Sequence, residues 1–150
     1  MVHDSFLTLF NRHGETEENW RWYPVTLQGV TLHDIRANAP TADAGITNAD
    51  QVEALISAKA DRSLQDAAGN VLRYVGPKEY AALEDPAGFF TFTPGQDFFL
   101  VGSYEAEEAV ADIDFDEGFY HALNRERDGV YRITSAAFYS LLPHFEIGGR

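Results

Sequence analysis

Short runs of alternating apolar and polar residues, broken by turn-forming clusters, run along most of the chain. Ser5 to Asn11 is short, aromatic and β-branched. It reads as a strand with Phe6, Thr8 and Phe10 on one face and Leu7 and Leu9 on the other. The polar stretch Arg12–Asn19 reads as a hairpin loop, and residues 20–35 return as a long strand. Pro24 belongs at an edge or irregularity of that strand, because it donates nothing to a ladder. Gly29, in the middle, marks a bulge or bend. Residues 36–50 carry few large apolar groups and read as a long loop, a length associated with function or disorder.

Gln51–Ala58 fits a strand, with Val52, Ala54 and Ile56 on one face, or else a helical turn, and the strand is the preferred reading; Val71–Val75 reads as a short strand, with a loop over Asp61–Asn70 between them. Gly76–Leu83 reads as a short helix with Pro77 at its first position, where a missing N–H costs nothing. Phe89–Thr93 and Asp97–Gly102 read as two strands about the Pro94-Gly95 turn. They form the most aromatic part of the chain and the expected core. Aromatics at both parities imply that both faces are covered, one of them by another copy of the chain. After an acidic loop over 103–113, Asp114 is placed to cap a helix that runs to about Arg127. Val130–Thr134, Phe138–Leu142 and His144–Ile147 read as a C-terminal β unit broken by Pro143. Gly148-Gly149-Arg150 reads as a frayed end. The pattern is that of a single α+β or mainly β domain over residues 1–150.

Composition narrows the classes. The chain has 150 residues, 45% of them hydrophobic and 13% aromatic, which excludes a chain disordered throughout. It holds no cysteine, which excludes disulfides, thiolate metal sites and cysteine nucleophiles. The net charge is −13, concentrated in the second half of the chain. Such a surface repels phosphate and anionic lipid, so groove-type nucleic-acid binding is not expected. It serves solubility, and it also suits a wall along which DNA slides without sticking. The first residues lack a basic stretch leading into an apolar one, and no apolar run approaches the roughly 20 residues that cross a bilayer. The chain is expected in the cytoplasm, or in something assembled there.

Motifs for chemistry are sparse. Seven acids fall between Glu105 and Glu117. Asp112, Asp114 and Asp116 have the spacing of a calcium loop, but its sixth and twelfth positions hold Glu117 and Leu123 where glycine and glutamate are needed. A solvated acidic loop is the better reading. His3, His13, His33, His121 and His144 form no metal-binding spacing. His144, ahead of an apolar strand, reads as a packed, hydrogen-bonded core histidine rather than a base. No nucleophile elbow or phosphate-binding glycine loop occurs. No catalytic, cofactor or metal residue is therefore assigned. Trp20, Trp22 and Tyr23, beside a polar loop, are candidates for an interface, as are Phe145 and Ile147 of the last strand.

Several segments in order carry a resemblance: Phe6-Leu7-Thr8-Leu9-Phe10-Asn11, Trp22-Tyr23-Pro24, Pro77-Lys78-Glu79-Tyr80, Thr91-Phe92-Thr93-Pro94-Gly95-Gln96-Asp97, Asp128-Gly129-Val130-Tyr131-Arg132-Ile133, and Leu142-Pro143-His144-Phe145-Glu146-Ile147. Together they resemble small acidic proteins of the structural modules of tailed phages and prophages of Gram-positive hosts, similar to head-completion proteins of the stopper type that join head and tail. The resemblance implies a small β-barrel or sandwich with one or two short helices and long loops. It implies a non-enzymatic, cofactor-free subunit of a ring, usually sixfold, in the virion neck. The implied partners are further copies of itself, portal or adaptor, and tail-terminator or tail-tube proteins. Packaged DNA would be a non-specific neighbour in the lumen, held back until a tail docks. A tail-terminator, adaptor or other tail role is the alternative. A small carboxylate-based hydrolase and a monomeric ligand-binding barrel are the rivals from other classes.

Overall fold

The computed structural model describes residues 2–35, 51–106 and 108–150. The loop expected over 36–50 lies outside them. Among the described residues, ten strands form: β1 (Val2–His13), β2 (Arg21–Ile35), β3 (Gln51–Ser57), β4 (Ser63–Gln65), β5 (Val71–Tyr74), β6 (Phe89–Phe90), β7 (Phe98–Val101), β8 (Val110–Ala111), β9 (Val130–Tyr139) and β10 (His144–Gly149). Two short α-helices, α1 (Pro77–Ala82) and α2 (Phe119–Glu126), and two 3-10 turns, Glu17–Asn19 and Asp112–Asp114, complete them.

Six strands close into an antiparallel barrel in the order β1-β7-β9-β10-β3-β2, with β2 returning to pair with β1 and β8 added outside β2. Closure follows from alternation: Leu7 and Leu9 of β1, Ala54 and Ile56 of β3, and Phe145 and Ile147 of β10 all point inward and are buried in one core. Each large apolar side chain so buried contributes about 1.5–3 kcal/mol. Closure also takes up most strand edges, the surfaces through which open sheets join other chains. Irregularities shape the wall. The β1–β2 register shifts between Ser5 and Leu7, opposite Gly29 with its φ of +74°. The β9–β10 register shifts at Gly148–Gly149. Pro24 sits where β2 has left β8 and not yet met β3, so its lack of a donor breaks no bond on that side.

The small sheet β4-β5-β6 closes one end of the barrel, with Leu64, Leu72 and Phe90 packed into the barrel core. Strand β4 falls where sequence patterning indicates only a loop. β6 and β7 do not pair with each other as the expected hairpin: β6 pairs in parallel with β5, while β7 joins β1 and β9. A second core lies outside the wall. Phe98 and Leu100 alternate with the inward Phe99 and are covered by Phe10, Trp22 and, from α2, Phe119 and Leu123. The outer aromatic face is therefore covered by this chain's own helix, and no second copy is required there.

Three local expectations change. Helix α2 begins at Phe119, well after Asp114, and its N-cap is Gly118. β9 runs unbroken through Tyr139. The C-terminal glycines are not frayed: both are paired in β10, and Arg150 exchanges two backbone hydrogen bonds with Arg132.

Candidate functional site

The loop between β1 and β2 lies against the 3-10 turn Asp112–Asp114, and between them opens a cleft of about 570 Å³. Glu17, Glu18, Asp116 and Glu117 line it together with Trp20 and Phe115. Asp112 builds the local frame. Its Oδ1 accepts hydrogen bonds from Trp22 Nε1 at 2.9 Å and from the backbone N–H of Phe119 at 2.8 Å, at the start of α2. Gly118 is required beside it, since its φ is +90° and a Cβ there would stand 3.2 Å from Asp112 Oδ1.

Trp20 separates this cleft from a smaller one of about 190 Å³, which Arg12, Gln96, His121 and Arg132 help to line. The Arg12 guanidinium lies 3.6 Å from the centre of the Trp20 ring and donates to Gln96 Oε1 at 2.8 Å. Burial lowers its pKa from the ordinary arginine value, and Asp97 and Asp112 oppose the shift. Arg132 stacks on Tyr120 at 4.0 Å. Carboxylates beside a tryptophan can draw in a cation and stack a planar one. Among the described residues, no three His, Asp or Glu side chains converge to hold a metal.

The second feature is the turn joining β9 to β10. Leu141 and Leu142 at its tip are 92% and 78% exposed. The turn is clasped. His144 donates from Nδ1 to the Leu142 carbonyl at 2.6 Å and from Nε2 to Glu146 at 2.9 Å. Both partners accept, so the doubly protonated ring is favoured and the His144 pKa is raised. The Tyr139 ring stacks on His144 with centroids 5.2 Å apart, and the N–H of Ala58 reaches the Pro143 carbonyl. His144 is thus hydrogen-bonded as expected, but at a surface turn and not within the core.

Of the five interface candidates, Trp22, Phe145 and Ile147 are buried, at 4%, 2% and 0% exposed. Trp22 packs on Phe98 in the outer core, and the other two fill the barrel. These three present nothing to a partner, which corrects the expectation for them. Trp20 and Tyr23 are half-buried and keep some surface. The exposed leucines do not stand out in the sequence, where Phe138–Leu142 reads as a strand. The signal was there: Leu-Leu-Pro breaks the alternation that Phe138 and Tyr139 begin.

Fold and surface together define a small closed β-barrel protein with an acidic, tryptophan-lined cleft and a clasped apolar hairpin tip. The chain belongs to a family of unknown function, DUF6751, whose model matches residues 2–150. No curated protein and no solved structure matches it.

Proposed function

We propose that this protein is a structural subunit that works by packing against neighbouring chains, and that its place is the neck of a tailed phage, as a head-completion protein of the stopper type. The observation that carries the packing role is the hairpin tip. Two adjacent leucines are held out to solvent on a turn fixed by His144, Tyr139 and Ala58. A preorganised apolar projection gains its stabilisation when a partner covers it, with little ordering cost at that moment. The barrel interior is filled by its own side chains, as suits a part whose outer surface is what it offers. The assignment to the neck rests on the sequence resemblance, and the net charge of −13 suits a wall beside DNA that must stay mobile.

The test is genetic and compositional. Virions of the phage that encodes this chain should contain it in a few copies per particle, by quantitative mass spectrometry. A null mutant should yield filled heads that fail to join tails and lose their DNA. Infectious tailed particles from the null mutant would refute the assignment.

A further inference from the structure

Strand pairing brings two arginines to the smaller cleft beside Trp20. On the outer side of the wall, Phe10 of β1 faces Phe98 of β7, and Phe98 faces Arg132 of β9. Arg12 follows Phe10 by two residues and so shares its outer face. The two arginines therefore stand on the strands either side of β7, at the rim of the outer aromatic core. Trp20 and, from α2, Tyr120 and His121 complete the lining of about 190 Å³.

Neither guanidinium is held by a carboxylate. Among the described residues neither forms an ion pair, although the exposed Arg125 does. Each is held by a ring instead: Arg12 by Trp20 at 3.6 Å and Arg132 by Tyr120 at 4.0 Å. A guanidinium stacked by its face keeps its N–H donors free in its own plane, the arrangement that grips a carboxylate through parallel hydrogen bonds. Gln96 accepts from Arg12 and steadies it. The Arg132 Nε is buried and meets no acceptor among the described residues, which is a costly state for a donor. The two cations also oppose each other, since Arg132 is among the groups that lower the Arg12 pKa, after burial itself. An anion in the shared cleft offsets these costs.

The surrounding charge decides which anion. Asp112 and Glu117 belong to the lining, and Asp97 and Glu17 act on Arg12 from nearby. These carboxylates outnumber the two arginines, so no long-range field draws anions in. Binding rests on short, directed hydrogen bonds, and a dianion is repelled more than a monoanion. The fork of a guanidinium and the small volume both suit a planar group.

We infer that the Arg12–Arg132 cleft is a binding site for a single carboxylate group, gripped by the two guanidiniums. The carboxylate belongs to a free small acid or to the end of a polypeptide; the recognising chemistry is the same. The site is independent of the neck assignment, which virion composition tests separately.

Trp20 and Trp22, the chain's only tryptophans, both line the cleft, so intrinsic fluorescence reads binding there. The probes are sodium acetate and N-acetylated tetra-alanine with a free C-terminus, titrated at an ionic strength held constant with sodium chloride. Each should give a saturable change, whereas the C-terminally amidated peptide should give none and sodium phosphate should bind about tenfold more weakly or worse. Arg12→Gln and Arg132→Gln should each weaken binding about tenfold or more, and Arg132→Lys, which keeps the charge and loses the fork, should recover only part of it. Arg73→Gln, exposed on β5, should bind as the wild type does. Circular dichroism confirms that the variants fold. The Arg132 Nε–H resonance of the wild type should shift with the same midpoint by NMR, a readout that needs no variant. Tighter binding of the peptide assigns the site to chain ends, and equal binding assigns it to free acids; either result supports a carboxylate site. No saturable change with either probe, a change that follows ionic strength alone, phosphate bound as tightly as acetate, or equal losses from Arg73→Gln and Arg132→Gln would each overturn it.

Discussion

Asp112 Oδ1 stands 2.9 Å from Trp22 Nε1, joining β2 to the start of the helical segment across ninety residues. The same oxygen accepts the N–H of Phe119 at the first turn of α2. Asp112 thus seats the helix on the outer aromatic face and fixes one wall of the acidic cleft. Asp112→Ala would leave the indole N–H of Trp22 and the first helical N–H without this acceptor. Each buried group so orphaned costs about 1–3 kcal/mol, so with two of them the variant should lose about 2–6 kcal/mol by urea denaturation. Asp114→Ala, at an exposed position, should change stability by no more than about 0.5 kcal/mol. Equal losses from the two would remove Asp112 from this role.

That pair also shows what sequence could and could not reveal. The helix and the acids before it were legible from composition and dipole preference. Which acid holds the helix was not, because the choice depends on Trp22 arriving from ninety residues away. Strand β3, with its clean alternation, follows the expected pattern, because one face is buried and period two records it. Strand β4 was invisible: three residues within a polar stretch carry no period, and they pair only because β5 is placed beside them. Phe98 and Phe99 were legible as core on opposite faces. What covers the outer face was not legible, since an intramolecular helix and a second subunit leave the same apolar pattern. The same holds for Phe145 and Ile147, because an apolar C-terminal strand looks alike whether it closes a barrel or meets a partner.

The buried Asp97 ties the turn before β7 to β1. Its Oδ2 accepts from Asn11 Nδ2 at 2.9 Å and from the N–H of Thr93 at 3.0 Å, and its Oδ1 accepts from the N–H of Arg12 at 3.0 Å. Burial pushes its pKa up to about 6, against the opposing effect of these bonds. The folded protein therefore binds this proton more tightly than the unfolded chain does. The stability linked to it is fully present below the unfolded value of 3.8 and is lost as pH rises through about 6. The carboxyl carbon of Asp97 should titrate near pH 6 by NMR. The stability gap between wild type and Asp97→Asn should narrow as pH rises over that interval. A gap that widens would mean that the hydrogen bonds outweigh burial.

Gly149 allows the last strand to close the barrel. A Cβ at this position would stand 2.6 Å and 2.7 Å from two ring carbons of Phe99 and 2.8 Å from Tyr131 Cβ. Phe99 is fully buried and has nowhere to retreat. Gly149→Ala should cost about 1–3 kcal/mol, the usual range for overpacking. Gly148→Ala meets chiefly the Ser135 hydroxyl, at 2.6 Å, and that group can rotate away. Its cost should be the smaller of the two. Thermal denaturation of both variants checks the order, and the reverse ranking would remove the close approach to Phe99 as the cause.

The two tryptophans of the β1–β2 hairpin should behave differently although they are only two residues apart. Trp22 is 4% exposed, its ring is 4.9 Å from that of Phe98, and its N–H is held by Asp112. Trp22→Ala removes the centre of the outer core and should cost about 3–5 kcal/mol, as large-to-small substitutions of buried aromatics do. Trp20 is half-buried, and its main partner is the guanidinium of Arg12. Trp20→Ala should cost only about 0.5–2 kcal/mol, the range of a cation–π pair, and should leave the barrel intact by circular dichroism. The cleft would lose the indole and keep Phe115 and its carboxylates. Any partner that stacks a planar cation there should then bind more weakly to Trp20→Ala than to Trp20→Phe, which retains a ring. Comparable destabilisation by Trp20→Ala and Trp22→Ala would mean that Trp20 belongs to the core and that the cleft is not an independent surface.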